Sequence, residues 1–271
     1  MNIVVSPAAS AAPASRAATE WIGFKTIIIR EFSRIVRIWG QTIVPPAVTA
    51  TLYFIIFGSL IGRRVGQMGG YDYMQFIAPG LIMMTVITNS YGNVVSSFFG
   101  AKFGKHLEEL LVSPLPNWLI VAGYVSGGIL RGVMVGSVVT IVSLFFTRLA
   151  LTHVFAIVSA VLLTSIVFGL GGLINALFAK NFDQISWFPT FVLTPLTYLG
   201  GVFYSITMLP GWAHVVSQAN PILYMVSAFR YGFLGTTDVD LRVAYGIMVS
   251  AAVGMFALAV TLLNRGTGIR D

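Results

Sequence analysis

The sequence contains no cysteine, and only 9% of its 271 residues are charged. Without cysteine there is no disulfide framework, no thiol chemistry and no cysteine-based metal site. An ordinary soluble domain carries roughly 25% charged residues, so this chain has too little charge to cover a surface that faces water. Soluble enzymes and nucleic-acid-binding proteins are therefore excluded, and no nucleic-acid partner is expected.

Motifs for nucleotide hydrolysis and for hydrolytic catalysis are also absent from the sequence. A P-loop requires G-x-x-x-x-G-K-[ST], whereas the nearest stretch, residues 100–106, has another spacing and lacks the hydroxyl residue. Neither H-E-x-x-H nor G-x-S-x-G occurs. We therefore predict no catalytic residue, metal site or cofactor in this chain. If its activity needs energy, that energy is expected from a partner subunit.

Hydrophobic residues make up 56% of the chain, and several stretches of about twenty residues carry no charge. Such stretches are long enough to cross a hydrocarbon core of ~30 Å as helices. The sequence predicts an all-α integral membrane protein with six spans, with Pro45 and Pro46 in the opening turns of the first, where proline is tolerated. The predicted spans cover about 42–61, 75–99, 118–147, 153–178, 186–204 and 243–263.

The six predicted spans contain no aspartate or glutamate. A proton-coupled transporter usually relies on a buried ionisable group within its spans, so proton coupling is not expected. Of the 16 lysines and arginines, ten lie on the side of the two termini, five lie on the other side and one lies within a span. The positive-inside rule therefore places both termini in the cytoplasm.

The N-terminal region is predicted as a disordered tail, residues 1–19, followed by an amphipathic helix over 20–40. The helix has an apolar stripe at spacings of three and four, formed by Trp21, Phe24, Ile28, Phe32, Ile35 and Trp39. Its cations lie off that stripe: Lys25, Arg30, Arg34 and Arg37. Such a helix either lies in the lipid headgroup layer or caps the helical bundle. Residues 266–271 are predicted to form a cytoplasmic tail.

The region 205–242 has apolar stretches too short to cross a membrane. They are interrupted at Pro210, Gly211, Asn220, Pro221 and Gly235. The region is either a re-entrant helical pair or an ordinary apolar loop. A re-entrant pair is possible because a broken backbone is tolerated at membrane depth when it is buried in protein.

Polar side chains within the spans have two possible roles. Arg131 is surrounded by small residues that allow close helix packing, so it either contacts substrate or is fixed by packing. The second span has a polar stripe at intervals of four, Thr85, Asn89, Asn93 and Ser97, and the fifth has another, Thr190, Thr194 and Thr197 or Tyr198. These stripes either line a transport cavity or join helices through hydrogen bonds.

Several motifs resemble the permease subunits of type-2 ABC exporters, the membrane halves also found in ABCG-like transporters. Residues 105–114 and 191–204 are similar to the family's coupling segment and fifth span. More specific are Leu209-Pro-Gly-Trp212, Asn220-Pro-Ile-Leu-Tyr224 and Phe229-Arg-Tyr-Gly-Phe-Leu-Gly235, which are similar to the helices before the last span. Residues 37–41 and 97–102 are further similar to YadH-like bacterial permeases. The resemblance extends from about Trp21 to Arg265.

This resemblance implies how the chain would contact an ATPase. The segment 102–117 would dock on the ATPase through Lys105, Glu108, Glu109, Leu110, Leu111, Ser113 and Pro114. The helix at 20–40 would be the connecting helix that lies against the ATPase, with Lys25, Arg30, Arg34 and Arg37. Glu108 and Glu109 would meet basic groups of the partner, although a solvated acidic loop is the alternative.

The resemblance also implies two six-helix halves around a central cavity between the second and fifth spans. The candidate cavity residues are Asn89, Asn93, Arg131, Thr190, Thr194 and Tyr198, and those of the re-entrant region are Pro210, Asn220, Pro221, Tyr224 and Arg230. Many relatives carry an acid where this chain has Ser227, so an ion pair to Arg230 from that position is impossible.

The implied function is that of the permease subunit of an ATP-driven exporter in the bacterial inner membrane. It would act as a homodimer with two copies of a separate ATPase, which would bind ATP and Mg²⁺, and it would contact membrane lipids. The exported compound would be a lipid, glycan, glycolipid or hydrophobic molecule. The alternatives are a secondary transporter and a non-transporting scaffold or sensor.

Overall fold

A computed structural model describes residues 15–268, which are helical apart from short connections and one small β-hairpin. The α-helices are α1 (Arg16–Arg37), α2 (Trp39–Tyr53), α3 (Gly62–Val65), α4 (Tyr73–Phe103), α5 (His106–Val112), α6 (Asn117–Ser143), α7 (Val154–Phe178), α8 (Phe182–Phe188), α9 (Thr194–Leu199), α10 (Gly211–Gln218), α11 (Pro221–Leu234) and α12 (Leu241–Arg265). Phe54–Ile61 and Pro189–Leu193 are π-helical, and Ile206–Met208 is a 3-10 turn. The hairpin pairs β1 (Gln67–Met68) with β2 (Tyr71–Asp72) in antiparallel register.

Among residues 15–268, four helices are long and apolar enough to cross a membrane: Trp39–Gly58, Asn117–Ser143, Val154–Phe178 and Leu241–Arg265. They correspond to the first, third, fourth and sixth predicted spans. The third is shorter than predicted, because α6 ends at Ser143 and not near residue 147. The chain is thus an all-helical protein with four candidate membrane spans, and the count of six spans stays a prediction.

The second predicted span lies within α4, a helix of 31 residues at the centre of the bundle. The Asp72 side chain begins α4 by accepting a hydrogen bond from the backbone N–H of Met74 at 3.3 Å. Glycines let two neighbouring helices approach α4 closely. A Cβ at Gly172 of α7 would lie 2.6 Å from the Tyr91 carbonyl oxygen, and one at Gly132 of α6 would overlap the Ser90 hydroxyl. The bundle is therefore built by packing α6 and α7 against α4 at glycine contacts.

The amphipathic helix begins earlier than predicted, since residues 16–19 belong to α1 and not to a tail. Residues 1–14 of the predicted N-terminal tail and 269–271 of the C-terminal tail lie outside the described residues. The predicted apolar stripe does not form one uniform face, because Ile35 is buried while Trp21 and Phe32 are more than half exposed. The face of α1 that meets the bundle carries Ile27, Glu31 and Ile35 instead.

The first span also differs from its prediction. Because α2 starts at Trp39, Pro45 and Pro46 lie inside the helix, beyond its opening turn. Proline has no N–H to donate within a helix, yet the helix continues to Tyr53 and then widens into the π-helical turns of Phe54–Ile61.

The fifth predicted span, 186–204, is a helical run from Phe182 to Leu199 whose middle is π-helical. Its C-terminal end comes earlier than predicted, and Gly201 adopts a positive φ of 71° in the turn that follows. Within this run only Leu193 and Thr197 are buried, whereas Trp187 and Phe191 are more than half exposed. The run therefore presents a large apolar face that no other part of residues 15–268 covers.

The segment 205–242 contains the two helices α10 and α11. Asn220 joins them to the fifth predicted span, since its Oδ1 accepts from the Ile222 N–H at 3.0 Å and its Nδ2 donates to the Leu196 carbonyl at 2.6 Å. Pro221 occupies the first position of α11, and Gly235 ends that helix with a φ of 71°. Whether this helical pair dips into the membrane stays a prediction.

Candidate functional site

The predicted coupling segment contains α5, which follows α4 after a two-residue turn. Leu107 is buried and Leu110 and Leu111 pack against the core, whereas Glu108 and Glu109 are exposed. The Ser113 hydroxyl donates to the Leu110 carbonyl at 2.5 Å and so ends the helix, and Pro114 is exposed. One face of α5 thus packs against the helical bundle, and the face that carries the two glutamates is exposed.

Helix α1 contacts the chain just after α5. Gly23 lies so close to Leu115 that a Cβ there would overlap the leucine side chain. The two segments predicted to meet the ATPase are therefore adjacent at one end of the bundle. A movement of either segment would displace the other, because closely packed atoms transmit displacement.

The four cations of α1 that were predicted to lie against an ATPase have two different environments. Lys25 and Arg37 are exposed. Arg30 instead donates to the Tyr124 hydroxyl at 2.7 Å, with its guanidinium 5.2 Å from the centre of that ring. Arg34 donates to Asn93 Oδ1 at 2.8 Å. Arg30 and Arg34 thus bind other helices of the bundle in this structure, and their predicted contact with an ATPase stays a prediction.

Glu31 lies at the centre of this network and was not among the predicted site residues. Only 1% of its surface is exposed. Its carboxylate accepts from Arg34 Nη2 at 2.8 Å and from the Ser97 hydroxyl at 2.5 Å, and a Cβ at Gly127 would come within 2.8 Å of it. The sequence did carry a signal, since spacings of four place Glu31 on the same face as Ile27 and Ile35.

The polar stripe of the second span therefore divides into two parts. Asn93 and Ser97 bind α1, and Asn93 is fully buried, so the prediction that Asn93 faces an open cavity is wrong for this structure. Thr85 and Asn89 instead line a cavity of about 250 Å³ between α2 and α4, together with Pro45, Pro46, Tyr53 and Thr88.

Arg131 lies next to this second part of the stripe. Its Nε donates to Asn89 Oδ1 at 3.3 Å, and the Asn89 Nδ2 donates to the Thr85 carbonyl at 3.0 Å. The side chain is partly buried between α6 and α4. The structure thus brings the predicted cavity residues Arg131 and Asn89 together beside the cavity.

The fifth predicted span contributes one residue to the same region. The Tyr198 hydroxyl lies 3.2 Å from the Tyr53 hydroxyl, and both rings contact Phe203. Thr190 and Thr194 are exposed and donate to carbonyls of their own helical run, Ser186 and Pro189, both at 2.8 Å. Tyr198 is therefore the member of this stripe that contacts a residue of the cavity wall, Tyr53, whereas Thr197 is buried and donates to Leu193.

Arg230 has an unexpected partner in the region between the fifth and sixth predicted spans. It is 1% exposed and lies with a side-chain nitrogen 3.5 Å from the Asp238 carboxylate, close enough for an ion pair. Its Nη2 donates to the Gly201 carbonyl at 2.7 Å, and its guanidinium lies 3.9 Å from the centre of the Phe76 ring. The absence of an acid at Ser227 is thus compensated by Asp238, which sequence reasoning missed.

The other residues named for this region have local roles. Pro210 precedes the first turn of α10, and the Tyr224 hydroxyl donates to the Gln218 carbonyl at 2.7 Å across the α10–α11 junction. Together with Asn220 and Pro221, they fix the angle between the two short helices.

Comparison with known proteins agrees with this architecture. The family model described as ABC-2 type transporter matches residues 22–234. The chain is 55% identical over 251 residues to the inner membrane transport permease YadH of Escherichia coli strain K12, covering 93% of this chain and 98% of the relative. It is 24% identical over 218 residues to nodulation protein J of Rhizobium leguminosarum bv. viciae, covering 79% of this chain and 83% of that one. The chain belongs to the ABC-2 type transporter family.

Proposed function

We propose that this chain is the permease subunit of an ATP-driven exporter in the bacterial inner membrane. Two copies would pair, and two copies of a separate ABC ATPase would bind their cytoplasmic ends. Membership of the ABC-2 family supports the permease role, because such permeases work with ABC ATPases. The 55% identical relative is an inner membrane transport permease, which supports a location in the inner membrane.

The observation that carries the proposal is the attachment of both ATPase-facing segments to α4. Helix α5 continues from α4 through a two-residue turn, and α1 is attached to α4 by Glu31, Arg34, Asn93 and Ser97. The exposed acidic pair Glu108 and Glu109 offers the charge that basic groups of a partner would meet. A force applied to α1 or α5 therefore reaches the same membrane helix.

The pathway in this proposal runs along the cavity between α2 and α4. Tyr53 and Asn89 give its wall both aromatic and polar groups, and Arg131 donates to Asn89 beside it. The uncovered helical run Phe182–Leu199 lies beside it through the Tyr53–Tyr198 contact, and a second copy of the chain would cover that apolar face. Such a wall suits a lipid, glycan, glycolipid or hydrophobic compound.

The proposed mechanism is alternating access without covalent chemistry in this chain. ATP binding closes the two ATPases and moves α5 and α1 towards the partner copy. The Glu31–Arg34 network carries this displacement to α4, and the cavity beside α4 opens to the other side of the membrane. ATP hydrolysis then resets the arrangement.

Purification from the native membrane in mild detergent tests this proposal. The tagged chain is recovered and its partners are identified by mass spectrometry, and the mass of the intact complex gives the stoichiometry. We expect an ATP-binding-cassette subunit in a ratio of one to one and a mass equal to two copies of each chain. Recovery of the chain alone in several mild detergents would instead support a scaffold, or a secondary transporter if transport then stops with an uncoupler.

A further inference from the structure

A second cavity, of about 400 Å³, lies at the end of the bundle that carries α5, between the C-terminal ends of α4 and α7. We call it the lysine pocket, after three of its lining residues, Lys102, Lys105 and Lys180. Phe103, Phe178 and Glu108 also line it. None of its lysines contributes to the α2–α4 cavity of the proposed pathway.

The lysine pocket has an excess of positive charge. The three lysines and Glu108 leave a net charge of 3 − 1 = +2 on its lining side chains. The Lys102 ammonium donates to the carbonyls of Leu177 at 2.6 Å and Ala179 at 2.8 Å, where it offsets the negative end of α7. Lys105 and Lys180 are exposed at the rim, so their charges are available to an anion.

The other wall of the lysine pocket is aromatic and open. Phe103 is 65% exposed and Phe178 is 53% exposed. Phe182 packs against Phe103 with ring centres 5.2 Å apart, and it is 55% exposed as well. Contact of three exposed phenylalanines with water would be unfavourable. At the level where acyl chains meet headgroups, phenylalanine can instead contact the acyl chains, while a neighbouring lysine extends its ammonium into the polar layer.

We propose that the lysine pocket binds the phosphate headgroup of an anionic phospholipid. Lys105 and Lys180 meet the phosphate, and Phe103, Phe178 and Phe182 contact the acyl chains. Basic pockets between membrane helices recognise anionic headgroups in this way. The exposed phenylalanines favour a lipid over a soluble phosphate, since a soluble anion would leave them in water. This site goes beyond the proposed transport function, and it does not depend on the direction of transport.

The position of the pocket gives such a lipid a structural consequence. Lys105 is the residue directly before α5, and Lys180 follows α7 after one residue. A headgroup held by both lysines would join the α4–α5 turn to the end of α7. Bound lipid would thereby restrict the segment that the proposed ATPase contacts.

Two lysine variants test the site in the full-length purified chain. Lys105 has a φ of 59°, the only positive φ of a non-glycine residue among residues 15–268. Asparagine tolerates this conformation better than most residues, so Lys105→Asn removes the charge without strain on the fold. Lys180→Gln removes the second charge. The matched control is Arg16→Gln, which removes an equal charge from a side chain that is 87% exposed and does not line the pocket.

Binding is measured by native mass spectrometry during titration with phosphatidylglycerol, with phosphatidylcholine and with inorganic phosphate as a competitor. A lysine near an anionic surface contributes about 1 kcal/mol, so each pocket variant should weaken phosphatidylglycerol binding about fivefold. Arg16→Gln should bind as the unchanged chain does. Phosphatidylcholine should bind more weakly, and inorganic phosphate should not displace the lipid.

Each other outcome overturns the proposal. Equal binding of phosphatidylcholine would remove the role of headgroup charge, and displacement by inorganic phosphate would show a site for soluble anions. Unchanged phosphatidylglycerol binding in both lysine variants would place the lipid elsewhere. If those variants bind lipid normally but recover less ATPase from the membrane, the pocket belongs to a protein interface.

Discussion

Glu31 on α1 accepts a hydrogen bond from the Ser97 hydroxyl on α4 at 2.5 Å, across 66 positions of sequence. The same carboxylate pairs with Arg34, which itself binds Asn93 of α4. Burying a carboxylate without partners would be strongly unfavourable. The need to keep Glu31 paired therefore fixes the rotation of α1 about its own axis relative to the bundle. The amphipathic helix is thus joined to the membrane helices by hydrogen bonds between charged and polar groups as well as by apolar packing.

Glu31→Gln should destabilise the protein, because it leaves Arg34 facing a neutral partner. Removing one member of a buried ion pair costs about 3–5 kcal/mol. The loss should be roughly 2 kcal/mol here, since 30% of the Arg34 side chain is exposed and water screens its charge. Thermal unfolding in detergent measures the change in Tm.

The control for Glu31→Gln is Glu20→Gln on the same helix. Glu20 pairs with the exposed Arg16, and surface pairs contribute about 0–1 kcal/mol. The double variant Glu31→Gln/Arg34→Gln should be less destabilised than the sum of the two single variants. Equal Tm values for Glu31→Gln and Glu20→Gln would contradict a structural role for the buried pair.

Replacing Glu108 and Glu109 together by lysine should leave the fold intact and weaken the contact with the ATPase. Both carboxylates are exposed, and surface substitutions usually change stability by less than about 0.5 kcal/mol. We expect lower ATPase activity of the complex or lower recovery of it, with an unchanged Tm of the isolated chain. Full ATPase activity in the double variant would remove α5 from the coupling role.

Gly172→Ala should destabilise the α4–α7 contact. The new methyl group would lie 2.6 Å from the backbone carbonyl oxygen of Tyr91, which cannot move aside as a flexible side chain would. Overpacking of this kind costs about 1–3 kcal/mol. Gly254→Ala on α12 is the control, because nothing lies within 4 Å of its added Cβ. A Tm loss shared by both variants would contradict the close packing.

Asp238→Asn should loosen the helix pair before the last span. It removes the carboxylate 3.5 Å from the buried Arg230 guanidinium, which keeps the Gly201 carbonyl as a partner. We expect a loss of about 1–3 kcal/mol and faster hydrogen exchange of the backbone amides of α11. Asp240→Asn retains a side-chain oxygen that can cap α12 and should leave that exchange unchanged. Identical exchange in the two variants would exclude the ion pair as a stabilising contact.

The long apolar helices were predictable, because apolar length can be read from one continuous stretch of sequence. Apolar length alone located α6, α7 and α12 to within a few residues, except at the end of α6. The break at Gly201 in the fifth predicted span was not predictable, since its sequence remains apolar beyond Leu199.

The partners of the charged residues were harder to predict, because they depend on how helices and turns pack together. Glu31 meets Ser97, and Arg230 meets Asp238 across a turn that follows Gly235. Helical periodicity predicts on which face of its helix such a residue lies, but it does not predict which element packs against that face. The family resemblance implies that Arg30 and Arg34 face an ATPase, and that contact stays a prediction, but their bonds to Tyr124 and Asn93 were not predicted.

In the proposed mechanism, ATP binding to the partner ATPases moves α5 in both copies of the permease. The absence of cysteine from the chain permits a single spin label at Val112→Cys, because the Val112 side chain is 87% exposed. Double electron–electron resonance then measures the distance between the two labels in the purified complex with its ATPase. We expect a defined distance between the labels that shortens when ATP is bound without hydrolysis. A sample without dipolar coupling between labels, or a distance distribution that ATP leaves unchanged, would contradict it.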